Sequence, residues 1–541
     1  MTHEKSMYEP IEQESIPGGG AQVPARFFAL SPMSLSRFFW FATVVSLGGY
    51  LALFALCSPY SLLDLPNHLA RATVMADLMF HHGQRFGGDF QLLYRYMAIP
   101  YVLGDLLLAA AVQLGGTQFA SALWMSVAFL SLPAAVLFYL RTAGAPRDIQ
   151  PIAVLLATYL SIDWSFTMGF LEFRLGIALV LVALALLERL RARWSVALYC
   201  LYAGTLALGY LTHLVTVAFL AVAFAVTGAL GLWRGTASLG RELRLLAPIA
   251  AILAWHFGVA ANFHRSDDVP LMAYDWGPER KLRTLRYSHV RYGGPPDTIL
   301  ALALIVCVAL MLLGRSVAEG LSRPAFHDKL AICATFLALF VVLPYGYSAA
   351  SYVDTRALIA AELFLFLALF ELAGAGRLRA PQPVLAAALC ALAISLLNLA
   401  YVGRQFARAG AWAQGYRSVV TAVPRGARVL PVATVSAHAP YLHASSSIVI
   451  DRAGTIPYLF SANNGNPMLY FRYTHLPYAP QEDWYLDRGT AAAASVDWHK
   501  VSCAYQFVLV TQPYEPARIG LATTKRAENA EAALLAVDPA T

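Results

Sequence analysis

Four polar residues stand at helical spacing in the stretch "YSLLDLPNHLARATVM", Tyr60 to Met75. At about 100° of rotation per residue, Asn67, His68 and Arg71 fall within about 60° of Asp64, while Leu65, Leu69, Ala72, Ala76 and Met79 gather about 100° away. One face therefore carries a carboxylate able to take a proton, with an amide, an imidazole and a guanidinium able to donate hydrogen bonds beside it. Asp64 has a competing structural reading, because Asp followed by Leu-Pro is also a helix start whose carboxylate caps free N–H groups. His68 and Arg71 have one too, as a polar face touching lipid head groups.

The elements that must position this face are apolar. Of 541 residues, 58% are hydrophobic and 13% charged, against roughly 45–50% and 25% in soluble domains. The expected fold class is an all-α polytopic membrane protein with juxtamembrane helices and a small C-terminal α/β extracytoplasmic domain. A span needs about 20 mostly apolar residues. Runs near 38–57, 119–140, 151–169, 175–188, 196–212, 214–233, 245–261, 298–314, 330–346, 357–373 and 383–402 meet that expectation, which makes about eleven transmembrane helices. The net charge of +7 does not point to nucleic acid, because the arginines fall in short clusters between apolar runs.

Ile99 to Gly116 is ambiguous, being barely long enough to cross and containing Asp105. If it does not cross and the N-terminus is cytoplasmic, five basic connections fall on one side, from Arg141 and Arg147 through to Arg377 and Arg379. The positive-inside rule then makes that side the cytoplasm and Ile99 to Gly116 an interfacial or re-entrant helix. The expected organisation is a disordered cytoplasmic tail over 1–30, a transmembrane domain over 31–402 with outer loops 58–118 and 262–297, and a periplasmic α/β domain over 403–541. The amphipathic Asp64 helix should lie along the outer membrane surface, apolar side in the acyl boundary.

Other chemistry-bearing residues share the outer side. His213 in "YLTHLVT" ends a span, and Asp354 and Arg356 follow Tyr345, Tyr347 and Tyr352 in an aromatic belt that is also a candidate anion site. Asp163, Glu172 and Arg174 surround an outer hairpin, where an Asp163–Arg174 or Glu172–Arg174 pair would hold the turn. The loop 262–294 is rich in cations, with Arg286 and His289 among those expected to meet phosphate. In the tail, "RVLPVAT", "SSIVID" and "YQFVLVT" read as short strands. Tyrosines and histidines in "YFRYTHLPY" suit either a sugar site or a packed surface. Asp64, Asp163, Glu172 and Asp354 could share a divalent cation through oxygen ligands, although no spacing demands one. The signatures of P-loop ATP use, HExxH zinc proteolysis and GxSxG hydrolysis are absent. The six cysteines encode no disulfide framework.

An acidic residue early in a large outer loop ("LLDLPNHLARA"), a second juxtamembrane helix (Ile99 to Gly116) and the following span and basic turn (Phe119 to Asp148) form a layout. That layout resembles the GT-C class of membrane glycosyltransferases, such as the protein O-mannosyltransferases and aminoarabinose lipid A transferases. The likeness covers roughly the first 150 residues well and the rest as architecture. Where that class commonly has an Asp-Glu pair, Asp64 is followed by Leu65, and the proline-rich second motif is reduced to Pro100. The resemblance implies an inverting transfer from a polyprenyl-phosphate-linked sugar to a glycan, lipid or protein acceptor, with Asp64 as general base. Asn67, His68, Arg71, His213, Arg286, His289, Asp354 and Arg356 would be the substrate-binding residues, in a bacterial inner membrane. The alternatives are a glycan polymerase or ligase acting on lipid-linked chains, and a non-catalytic envelope transporter or scaffold.

Overall fold

The structure, a computed structural model, describes residues 32–94, 98–260, 272–287, 292, 294–348, 352–432, 443–459, 469–471, 496–514 and 519–538. The expected tail 1–30, the side chain of Arg286, His289 and most of "YFRYTHLPY" lie outside them.

The chain is mostly helical. Its first half runs α1 (Pro32–Leu56), α2 (Leu65–Phe80), α3 (Val102–Thr142), α4 (Gln150–Ser161), α5 (Trp164–Thr167), α6 (Leu171–Ala192), α7 (Val196–Thr212), α8 (Leu214–Trp233) and α9 (Leu239–Ala260). There follow α10 (Pro278–Tyr287), α11 (Pro295–Leu313), α12 (Val317–Leu321), α13 (Pro324–Val342), α14 (Val353–Ala375), α15 (Pro381–Val420), α16 (Ser447–Arg452) and α17 (Trp498–Ala504).

Among the described residues, seven helices are long and apolar enough to cross a membrane: α1, α3, α8, α11, α13, α14 and α15. The lower number has local causes. The run expected over 151–169 breaks after Ser161, leaving α4 with 12 residues. Both ends of α6 are charged, with Glu172 and Arg174 at one and Glu188, Arg189 and Arg191 at the other. Apolar side chains on α11 (Ile299, Leu302, Ile305) and α15 (Leu389, Leu397) are exposed, a surface that water penalises and a bilayer accepts.

Ile99 to Gly116 and the run after it are two helices that meet at a kink. The 41 residues of α3 are thus two helical segments, divided at the non-helical Gly116, where φ is 74° and ψ −178°. That conformation suits a residue without Cβ. Buried polar contacts join α1 to α15, where Asn398 Nδ2 donates to the Tyr50 hydroxyl at 2.7 Å and that hydroxyl donates to the Ser395 carbonyl at 3.0 Å.

The C-terminal part contributes a small four-stranded sheet, ordered β4 (Val429–Val432), β6 (Phe507–Thr511), β8 (Ala532–Val537), β7 (Thr523–Glu528). β4 and β6 are parallel and the other two pairings antiparallel. Among the described residues two small antiparallel pairs complete the strands: β1 (Phe90–Leu92) with β5 (Leu469–Phe471), and β2 (Met272–Asp275) with β3 (Gly346–Ser348). "RVLPVAT" and "YQFVLVT" thus contain strands, whereas "SSIVID" does not: it is a 3-10 turn leading into α16. Ile448 and Val449 are buried consecutively in a core shared with Val74 and Met75 of α2, so packing against that helix overrides the β-propensity of the run.

The position of α2 also differs from expectation. Its residues from Leu65 to Asp77 are buried with the exception of His68, enclosed by α3, α16 and neighbouring segments rather than laid on lipid.

Candidate functional site

α3, α6 and α14 run in the same sense, and their N-termini meet near the start of α2. The residues that precede them, Tyr101, Phe170 and Tyr352, make no side-chain cap; in α14 the Asp354 carboxylate takes one first-turn N–H, that of Thr355, at 2.7 Å. A fourth N-terminus, that of α8, joins them at His213, whose ring lies edge-on to Tyr101 at 4.8 Å and to Phe173 at 5.6 Å. Both Tyr101 and Tyr352 sit in the left-handed region, at φ 75° and 61°. Such strain in non-glycine residues persists only where the surroundings hold it. Phe170 packs on Tyr352 at 5.9 Å, and Trp164 packs on Tyr352 at 4.5 Å.

Asp64 occupies the N-cap position of α2 without capping it. Its backbone carbonyl accepts from the N–H groups of Asn67 and His68 at 3.0 and 3.1 Å, but its carboxylate makes no cap hydrogen bond. The loop before α6 holds the backbone in place, with Leu63 and Asp64 N–H donating to the Thr167 and Met168 carbonyls at 3.3 and 3.0 Å. Gly169 is required there twice over: its φ is 88°, and a Cβ would stand 3.0 Å from the nitrogens of both Asp64 and Leu65. The carboxylate, 15% exposed, instead faces His443, with Oδ1 3.4 Å from the ring Nε2.

The other three residues of the polar face divide. Asn67 is fully buried and donates through Nδ2 to the Tyr458 carbonyl at 2.8 Å, with His443 Nδ1 3.2 Å from the same nitrogen. His68 stays partly exposed, its Nδ1 3.9 Å from Glu172 Oε1. Glu172 reaches this position because residue 104 is glycine; a Cβ there would stand 2.6 Å from the same oxygen. Arg71 leaves the open side altogether: it is 1% exposed and pairs with buried Asp105 at 2.7 Å. Burial pulls its pKa down while Asp105 and Glu172 pull it up, and its Nε and Nη1 have no hydrogen-bond partner among the described residues. Arg71 is thus placed as a buried tie between α2 and α3 rather than on an open binding face.

Arg356 provides the positive charge at the open side. Its guanidinium lies over Phe170 and Phe173 at 5.5 and 5.7 Å, Tyr101 and Asp64 are its electrostatic neighbours, and among the described residues no carboxylate pairs with it. Its Nε is buried without a hydrogen-bond partner. Burial pushes the Tyr101 phenol above its ordinary range, with Arg356 opposing, so the phenol remains a donor. His213 is buried, and its Nδ1 accepts from the Val215 N–H at 3.1 Å, which puts the proton of the neutral ring on Nε2. Burial, reinforced by Arg356, holds its pKa well below 6.5.

Two expected participants lie elsewhere. Asp354 is fully buried, accepts from the Thr355 N–H at 2.7 Å and pairs with Lys281 of α10 at 2.7 Å, an anchor for that helix. Asp163 caps α5 and pairs with Arg174 at 2.6 Å, the hairpin tie expected of it. Among the described residues no three His, Cys, Asp or Glu side chains converge as a metal site, and the four carboxylates considered for a shared cation have the separate neighbours just given.

The sequence alone did not single out His443 or Tyr101 and gave Glu172 only as a hairpin partner or one of four carboxylates for a shared cation. Nothing local marks His443, which meets Asn67 across 376 positions. The chain matches no family model, no curated protein and no solved structure. What the fold and composition define is a mostly helical, multi-pass membrane protein.

Proposed function

We propose that the protein is a membrane glycosyltransferase, moving a sugar from a polyprenyl-phosphate donor to a glycan, lipid or protein acceptor, with Asp64 as general base. The observation that carries the reading is that the Asp64 carboxylate, left out of helix capping, shares a site with Arg356, which makes no carboxylate ion pair among the described residues, and with the N-termini of α3 and α6, which have no side-chain N-cap. Helix N-termini favour anions, and a cation without a carboxylate partner favours them further.

In the transfer, Asp64 accepts the proton of the acceptor hydroxyl as its oxygen bonds to the anomeric carbon. The bond from that carbon to the phosphate oxygen breaks on the opposite face, with inversion, and the lipid phosphate departs with the electron pair. Arg356 and the adjacent N–H groups offset the charge that grows on the leaving phosphate. His68 and Glu172 border the acceptor side. The chain would lie in a bacterial inner membrane with a cytoplasmic N-terminus, about eleven membrane-crossing segments including the shorter helices, and the C-terminal α/β domain in the periplasm.

The test is transfer from radiolabelled polyprenyl-phosphate sugars in reconstituted membranes. Asp64→Asn should fold normally and lose on the order of 10²–10⁴-fold in rate. Arg356→Ala should weaken donor use and Asp354→Asn should act only through stability. A folded Asp64→Asn protein with full transfer would eliminate the assignment, and translocation of the lipid-linked sugar without any transfer would move the protein to the transporter class.

A further inference from the structure

Asn67, His443 and Asp64 form a chain of contacts whose direction can be read from hydrogen-bond chemistry. The Tyr458 carbonyl can only accept, so the Asn67 group 2.8 Å from it must be the amide nitrogen. That settles the orientation of the amide, which heavy-atom positions alone leave open. The same nitrogen carries a second hydrogen, and His443 Nδ1 lies 3.2 Å from it. Nδ1 must then be the accepting nitrogen, because the alternative sets one N–H against another. A neutral ring consequently carries its proton on Nε2, the nitrogen 3.4 Å from Asp64 Oδ1.

We propose that His443 is a positioning residue for Asp64, locked by Asn67 as the Nε2–H tautomer so that this N–H faces Oδ1 and leaves Oδ2 to receive the acceptor proton. This rests on the reading of Asp64 as the working base, but the tautomer itself does not. Every link is buried or nearly so: Asn67 is 0% and His443 6% exposed. The ring is carried by the turn preceding α16, with the His443 carbonyl accepting from the Ser446 N–H at 3.0 Å, and α16 packs on α2. The carboxylate therefore comes from the first loop and its orienting group from the C-terminal part of the chain. Docking of residues 443–459 completes the site.

The experiment is nitrogen NMR of the full chain, labelled at histidine and held in lipid nanodiscs. The wild-type spectrum minus that of His443→Gln isolates the His443 signals, and they should be those of a neutral ring protonated at Nε2. In Asn67→Asp, which offers Nδ1 only an acceptor, the proton should appear on Nδ1. Wild-type signals of an Nδ1-protonated ring would overturn the proposal, whether or not any transfer activity is found. In the transfer assay, His443→Ala should lower kcat on the order of 10²-fold, the scale of a misplaced reacting group, with KM little changed. His443→Gln, which retains an N–H donor, should recover much of that loss, and thermal unfolding separates misfolded variants. If Asp64→Asn abolishes transfer while His443→Ala leaves kcat intact, the positioning role falls and the base assignment stands.

Discussion

The two ends of α3, α6 and α14 treat charge differently. Near their C-terminal ends three buried or half-buried cations have carboxylate partners: Lys329 meets Glu188 at 2.5 Å, Arg191 meets Glu242 at 2.6 Å, and Arg315 pairs with Asp148. The Tyr139 hydroxyl donates to Glu371 at 3.1 Å and reaches Glu188 at 3.3 Å. At the N-terminal ends Asp105 and Arg174 are paired, while Arg356 has no carboxylate among the described residues and Asp64 makes no cap. Charges matched within the protein clamp helices together. A cation without a carboxylate ion pair beside helix starts retains its attraction for an anion from outside.

Mutation can break this contrast. The largest effect should come from Arg71→Leu, which leaves Asp105 buried without its partner. A cost of about 3–5 kcal/mol is expected for such a broken pair, seen as a lowered unfolding midpoint, and Arg71→Leu with Asp105→Leu should regain most of it. If the single variant is as stable as the wild type, the tie between α2 and α3 is not structural.

Next is Gly104→Ala, whose added Cβ meets Glu172 Oε1 and Cγ at 2.6 and 2.9 Å. Overpacking of this kind costs about 1–3 kcal/mol, and the displaced carboxylate should also change transfer kinetics. Lys329→Met at the opposite end should affect stability without touching donor affinity, which sharpens the division between the two ends.

A third effect depends on pH. Unfolded His213 takes up a proton as pH falls through 6.5, while the buried neutral ring does so only well below that value. Between those two points the unfolded state binds more protons, so acidification removes stability at about 1.4 kcal/mol per pH unit from this group. His213→Gln should flatten the dependence of the unfolding midpoint between 6.5 and lower pH; an unchanged slope would show that the ring titrates normally. The smallest effect is expected from Arg417→Ala, which removes a half-exposed pair with Asp451 at 2.7 Å, a loss of about 0.2–1 kcal/mol.

Much of the local architecture was legible in the amino-acid sequence. Helical spacing placed Asp64, Asn67, His68 and Arg71 on one helix, apolar runs located the long helices, and the Asp163–Arg174 tie followed from charges at a tight hairpin. Valine-rich runs located β4 and β6. These are features that a few neighbouring residues determine, through helical period, side-chain branching and the cost of charge in apolar surroundings.

The tertiary structure decided what each polar group does. It turned Arg71 inward to Asp105, made "SSIVID" a helix and brought His443 to Asp64. It also withheld the Asp64 carboxylate from the capping role that its position invited. The physical reason is separation along the chain. Periodicity fixes which face of a helix is polar, but the partner that meets that face is chosen by packing between segments hundreds of residues apart, and short-range patterns carry no record of that choice.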